Sequence, residues 1–380
     1  MFSYTRDGSQ NLHKMIDRHM EIVRDAVLEI IPKEHLVTIM LGGGYGRGEG
    51  GVFIQDGEEK LFNDYDFFIF IRNIPYLKVR QYKKRLQTLS HQLSDEIGID
   101  VDFSPLLTLN DVKNAPFWLI WYELKYGHHV IYGRDNILRY LPEFKHEEIP
   151  LFEGLKLMLN RGAGLLLCRE KLERDLNEAD TEFITRNLYK ALMAIGDVYL
   201  MIKHDYHYQY SGRLERLKKY ESDGILQKYG FIQDYEEAIR YKLLPYQPNL
   251  DKQGYLEWYQ RVLSKFKVMY YYAFSKYLYH HIPDVNIYRA LIENSDLEVG
   301  EHFQLFKNVL YNIRFHKGKN LRWNWYRRYP RYQLFYVFPY LAFRTSGKYP
   351  AEVYSILGLK GDCTKQEILD RFFTVWQKHN

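Results

Sequence analysis

The stretch LGGGYGRGEGGVFIQDGEEKLFNDYDFFIF, Leu41 to Phe70, decides how the chain is read. It sets glycines around one arginine, Arg47, and then opens a strand-like apolar run with Asp64-Tyr65-Asp66. Gly42, Gly43 and Gly44 end a short β-rich run, Leu36 to Leu41, and Gly46, Gly48, Gly50 and Gly51 follow. Glycine lets the backbone approach an anion and offer it N–H groups. Arg47 adds a charge-assisted contact for phosphate. A glycine loop alone is equally a flexible turn. No Gly-Lys-Ser/Thr follows, which excludes a Walker loop, and the glycine spacing fails the dinucleotide fingerprint.

The carboxylates carry the second half of the argument. Residues two apart in a strand share a face, so Asp64 and Asp66 point to one side. Asp100 and Asp102 repeat that spacing in IDVDFS, Ile99 to Ser104. An isolated Asp-x-Asp pair is ordinarily a polar alternation on an edge strand. Here Asp66 precedes Phe67-Phe68-Ile69-Phe70, and Asp102 sits between Val101 and Phe103. Carboxylates embedded in apolar strands need a compensating partner, and like charges held close need a cation between them. If the two strands are neighbours, the result is a hard-oxygen site suited to Mg²⁺. Asp100 competes for the third position; the apolar flanks and the strand end at Ser104-Pro105 favour Asp102.

Working outward, residues 11 to 32 carry helical period, and Val52 to Ile54 and Lys60 to Phe62 around Asp56-Gly57 read as a hairpin inserted before the next strand. Asp66 to Arg72 reads as a strand, Val79 to Ile97 as an amphipathic helix and Ile99 to Ser104 as a third strand. Phe117 to Tyr126 reads as a helix, followed by a short apolar element, Val130 to Tyr132. From Leu151 onward nearly every segment has helical period. The expected class is α+β, with a small mixed sheet and helices first and a mostly α-helical region after it. The expected domains are 1–145, 146–345 and a small helical segment, 346–380.

The order Gly43-Gly44, Arg47-Gly48-Glu49, Asp64-Tyr65-Asp66 and Val101-Asp102-Phe103 resembles the nucleotidyltransferase superfamily of polymerase β type, nearest in flavour to its minimal and antibiotic nucleotidyltransferases. The resemblance covers roughly residues 35 to 135. The chain departs from the family pattern in having Gly44 where Ser is frequent, and in a longer gap to Asp64, which the hairpin accounts for. The resemblance implies that Asp64 and Asp66 bind Mg²⁺ bridging the triphosphate of a nucleotide, ATP by default. Asp102 would complete a second metal site and draw the acceptor hydroxyl towards its alkoxide. It further implies in-line attack on the α-phosphorus, transfer of a nucleoside monophosphate and release of pyrophosphate, with the nucleotide held at Gly43, Gly44 and Arg47. Small molecules, protein side chains and RNA ends are all acceptors in the superfamily. Glu49 is either a group behind the phosphate site or a solvated turn residue.

A helical domain closes the nucleotide site in enzymes of this type, and two stretches offer candidates. Arg161 lies inside LKLMLNRGAGLLL, and Lys190 shares a helix face with Asp197, seven residues on. Both are expected nucleotide contacts; the plainer reading is internal ion pairs with Asp197. Tyr206, Tyr208 and Tyr210, before Ser211-Gly212-Arg213, shape a base or acceptor pocket or pack as ordinary aromatics. The most basic stretch, Arg314 to Arg331, interleaves cations with Trp323, Trp325 and Tyr326. It suits single-stranded nucleic acid or an anionic surface, or it is a solvated basic face with its aromatics in the core. The closing segment resembles the first two helices of a J-domain at Tyr354, Ile356-Leu357-Gly358-Leu359 and Thr364 to Phe373, but no His-Pro-Asp loop is present. A helical capping unit started by a Thr364–Glu367 capping box is expected instead.

The bulk numbers agree with this reading. The chain has 380 residues, 46% hydrophobic and 27% charged, so a globular composition. Net charge is +5, which favours an anionic partner without choosing it. Two cysteines, Cys168 and Cys363, form no metal or redox pair and point to a reducing compartment. No run reaches the ~18–20 apolar residues of a membrane span. The expected location is the cytoplasm. Two other functions stay open: a catalytically silent, antitoxin-like binding protein with this fold, and a nucleic-acid binder acting through residues 314–331.

Overall fold

The computed structural model describes residues 2–295, 302–316, 323–344, 348–361 and 363–378. In chain order it runs α1 (Gln10–Ile30), β1 (Leu36–Leu41), α2 (Gly43–Gly46), β2 (Gly51–Gln55), β3 (Glu58–Phe62), β4 (Tyr65–Ile71), α3 (Tyr76–Ile97), β5 (Val101–Phe103), α4 (Leu109–Lys113), α5 (Leu119–Tyr126) and β6 (His129–Gly133). Short 3-10 turns at Asp135–Tyr140 and His146–Glu148 lead to the helical region. There follow α6 (Leu151–Leu172), α7 (Glu178–Ile202), α8 (Tyr210–Lys218), α9 (Gly224–Tyr229), α10 (Phe231–Leu243), α11 (Lys252–Tyr277) and α12 (Val285–Asn294). The last helices are α13 (His302–His316), α14 (Trp323–Arg327), α15 (Pro330–Ala342), α16 (Ala351–Leu357) and α17 (Lys365–Lys378). The class is α+β, as the sequence indicated. No helix among the described residues is long and apolar enough to cross a membrane.

The chain forms two compact units. One holds Met1–Glu153 with Leu200–Pro248, the other Gly154–Tyr199 with Asn249–Asn380. The first unit is built on a sheet of order β5-β4-β1-β6, with the β2–β3 hairpin beside it. β1 pairs antiparallel with β4 and with β6, while β4 and β5 run parallel. The two faces of β4 differ by simple alternation. Tyr65, Phe67, Ile69 and Ile71 enter the core with Ile16, Val23 and Val27 of α1 and Leu86 and Leu93 of α3. Asp66, Phe68 and Phe70 are therefore left for the other face.

β5 is a short edge strand, and α3 supplies the groups that hold it. The Ser90 hydroxyl donates to the Val101 carbonyl at 2.6 Å, and the Val101 amide donates to the Ser94 hydroxyl at 2.9 Å. Gly98 ends α3 in the left-handed conformation, φ 83°, and turns the chain into β5.

In the second unit, α15 is buried from Gln333 to Ala342 and carries Pro339 inside it. Proline has no N–H, so the carbonyl four residues earlier, Phe335, loses its helical donor. Two tyrosines from other helices replace it: the hydroxyls of Tyr270 and Tyr288 donate to the Phe335 carbonyl at 3.2 and 2.8 Å. The capping box at α17 is present, with Thr364 and Glu367 bonded reciprocally.

The basic stretch at 314–331 is turned partly inward. Trp325 and Arg328 are buried, and the Arg328 guanidinium lies 4.3 Å from the Trp325 ring and donates to the carbonyls of Ile292 and Ser295. These two side chains do not present a surface to a nucleic-acid strand. Residues 317–322 of that stretch lie outside the described residues.

The Tyr270→Phe/Tyr288→Phe double variant removes both hydroxyl donors from the Phe335 carbonyl and is expected to lose about 1–3 kcal/mol of stability. Adding Pro339→Ala returns a helical N–H to that carbonyl, so the triple variant should recover stability in chemical denaturation. A triple variant no more stable than the double would contradict the account.

Candidate active site

The glycine turn and the carboxylates meet at the C-terminal end of β1. The Gly42 amide donates to the Asp66 carbonyl at 2.8 Å, which fixes the turn against β4. Gly43 has φ +60°, and a Cβ there would collide with the Asp66 carboxylate. Any other residue here would be strained at this φ and would push the Asp66 carboxylate aside. The turn itself is one helical turn, α2, closed by the Glu49 amide donating to the Gly44 carbonyl at 2.8 Å.

Parallel pairing of β4 and β5 places Asp66 directly opposite Asp102. Asp64, just outside β4, joins them, and oxygens of Asp64, Asp66 and Asp102 all lie within 4.8 Å of one another. Asp100 does not enter this group among the described residues. No hydrogen bond or ion pair from the described chain reaches the three carboxylates. Burial, then Asp64, push the Asp66 carboxyl up to about 7, with Asp102 adding to the rise and Lys242 and Arg47 opposing it. Asp102 is also raised, by burial first and then by Asp64 and Asp100. Three clustered carboxylates, two of them with raised pKa values (Asp66 and Asp102), and no cationic partner in contact are a donor set that fits Mg²⁺: hard oxygens whose mutual repulsion a divalent ion would remove.

Lys242 is the cation that sequence reading missed. It lies near the end of α10, which approaches β2 so closely that a Cβ on Gly51 would meet the Lys242 carbonyl at 2.9 Å. It makes no hydrogen bond or ion pair among the described residues, yet it lowers the Asp66 carboxyl more than Arg47 does. In the sequence Lys242 looks like any lysine in the last turn of an amphipathic helix, so nothing local marked it.

Arg47, expected as a phosphate contact, is enclosed by protein carboxylates. Its side chain is only 4% exposed and faces two carboxylates, Glu123 at 3.4 Å and Glu49 at 3.7 Å. Glu49 is the buried alternative rather than the solvated one. Its carboxylate accepts the amides of Tyr210 and Ser211 at 2.8 and 3.1 Å, and so caps the first turn of α8. Glu123 accepts from Arg213 and from the Tyr206 hydroxyl, the latter at 2.6 Å. Burial raises the Glu123 carboxyl, but Arg47, Arg213 and Tyr206 together hold it below its ordinary value. Tyr210 lies between the two guanidiniums, 4.7 Å from Arg47 and 4.8 Å from Arg213. Tyr206 and Tyr210 are thus packed into this ion network, while Tyr208 stacks obliquely with Tyr126 at 5.9 Å. The signal for Glu123 was present in the sequence as one carboxylate inside the apolar run FWLIWYELKY.

Arg161 and Lys190 belong to the second unit, Arg161 on α6 and Lys190 on α7, where Asp197 is buried two turns further along.

No protein-family model matches the chain, and no curated protein does. Among solved structures, the chain is similar to spectinomycin adenyltransferase from Enterococcus faecialis, crystallised with ATP and spectinomycin. The TM-score is 0.34 at 12% identity, over 66% of this chain and 98% of that one.

Two outcomes follow from the geometry. A carboxyl raised in the folded state binds more protons than in the unfolded state between about pH 4 and 7, so it contributes stability at low pH that is lost as pH rises through this window. In metal-free buffer, stability should fall with pH across that range, and Asp66→Asn should flatten the slope. Glu49→Gln should lower stability by roughly 3–5 kcal/mol, because it leaves Arg47 buried with one carboxylate fewer; a change within error in chemical denaturation would contradict this.

Proposed function

We propose that the chain is a nucleotidyltransferase that moves a nucleoside monophosphate from a nucleoside triphosphate to a hydroxyl and releases pyrophosphate. The observation that carries this reading is the convergence of Asp64, Asp66 and Asp102 beside a glycine turn in which Gly43 lies against the Asp66 carboxylate. Asp64 and Asp66 would hold Mg²⁺, with Asp102 beside them. When bound, the metal would draw the triphosphate oxygens together and neutralise charge developing on the leaving pyrophosphate.

The remaining steps belong to the chain's own groups. The backbone of Gly43 and Gly44 offers space and N–H donors for phosphate where a Cβ would block approach. Lys242 reaches the same anionic neighbourhood as a point charge with three donors, and would pair with triphosphate oxygens. Arg47, enclosed by Glu49 and Glu123, holds the turn in place. Asp102 takes the proton from the acceptor hydroxyl as its oxygen bonds to the α-phosphorus. The bond from that phosphorus to the α–β bridging oxygen breaks, and pyrophosphate leaves with the electron pair. ATP is the default donor, and a small molecule, a protein side chain or an RNA end is the acceptor class.

The test follows label from α-phosphate-labelled nucleoside triphosphates in a cell extract with Mg²⁺. Wild type is expected to transfer label to an acceptor. Asp102→Asn should bind nucleotide but lose at least ~10²-fold in transfer, and Lys242→Met should weaken nucleotide binding about tenfold. Nucleotide binding without transfer by wild type would favour a silent, antitoxin-like protein instead. Undiminished transfer by Asp102→Asn would overturn the mechanism.

A further inference from the structure

The second unit has a pocket of its own, with a volume of about 520 Å³, in the range of small-molecule sites. α11 contributes Lys267 and Tyr271 to it, and the start of α12 contributes Asp284 and Arg289. α15 and the residues after it contribute Tyr340, Phe343 and Arg344. Pro283, Pro339 and Pro350 also line it, so much of its wall has fixed backbone.

The floor and the rim differ in chemistry. Tyr271 is only 6% exposed, and its hydroxyl is buried with no hydrogen-bond partner. Burial raises its pKa, and Tyr340 and Asp284, which line the same pocket, raise it further. An orphaned buried hydroxyl is costly, and a ligand acceptor or donor would satisfy it. Asp284 is already engaged, accepting the amides of Asn286 and Ile287 at the start of α12. Arg289 is paired with Glu293 at 2.9 Å. Lys267, exposed at the rim, makes no hydrogen bond or ion pair among the described residues, and the exposed Arg344 adds a second positive charge beside it. Tyr271 and Phe343 pack edge to face, with ring centroids 5.7 Å apart and planes at 66°, and give the pocket an apolar aromatic wall.

We infer that this pocket binds a small organic anion, a phosphate or carboxylate attached to an aromatic or apolar group, with Lys267, Arg344 and the Tyr271 hydroxyl on the charged group and the rings of Tyr271 and Phe343 against its body. The pocket belongs to the second unit and the carboxylate cluster to the first, and the inference does not rest on the nucleotidyltransferase reading.

Phenyl phosphate is a suitable probe, titrated calorimetrically into the full chain. Wild type should bind it saturably, and Lys267→Met should weaken it about tenfold. Tyr271→Phe should weaken it several-fold with the circular dichroism spectrum unchanged, and Asp64→Asn/Asp66→Asn should leave it untouched. Absence of saturable binding to wild type would overturn the inference. So would full affinity in Lys267→Met, or loss of binding in the aspartate double variant, which would assign the probe to the other site.

Discussion

Three carboxylates within 4.8 Å of one another are the constraint around which the first unit is arranged. Their repulsion opposes folding when nothing lies between them, and the fold is built to hold them together regardless. Parallel pairing of β4 with β5 puts Asp66 and Asp102 on one rung. Burial of Tyr65, Phe67 and Ile69 on the opposite face prevents β4 from slipping by one residue, since a slip would exchange core and site. Ser90 and Ser94 satisfy the edge of β5, so a strand of three residues can still carry Asp102 in register. A cation bound between the three carboxylates would relieve what folding had to impose.

The glycine turn is held by a second electrostatic arrangement of opposite character. Arg47, Glu49, Glu123 and Arg213 alternate in sign and are largely withdrawn from water. Glu49 ties the turn to the first turn of α8, and Glu123 ties it to α5. A buried pair of this sort gives little net stability over an apolar replacement, but loss of one member is costly. Its contribution is to geometry. A turn whose glycines could adopt many conformations is left with one, and Gly43 stays against Asp66.

Much of this was legible in the sequence because it depends on local rules. Alternation placed Asp64 and Asp66 on one face, the strand LVTIML and the hairpin around Asp56-Gly57 formed where expected, and the apolar flanks of Asp102 distinguished it from Asp100. What sequence did not disclose depends on contacts distant along the chain. Glu49 reads as a turn residue until α8, more than 150 positions later, is seen to present its amides to it. Lys242 has no local mark, and only the approach of α10 to β2 brings it to the carboxylates. The aromatic and basic stretch before α15 has the composition of a binding surface, yet Trp325 and Arg328 serve the interior, where tyrosines of α11 and α12 donate to the carbonyl that Pro339 leaves without its helical N–H. Composition reports what a segment is able to do, and packing decides which face of it is used.

The most direct measurement is calorimetric titration of ATP, GTP, CTP and UTP, each with and without Mg²⁺, into wild type and into Asp64→Asn/Asp66→Asn. The account predicts Mg²⁺-dependent binding of at least one nucleotide to wild type and its loss in the double variant. Absence of binding by any of the four, or binding indifferent to both the metal and the two aspartates, would contradict it.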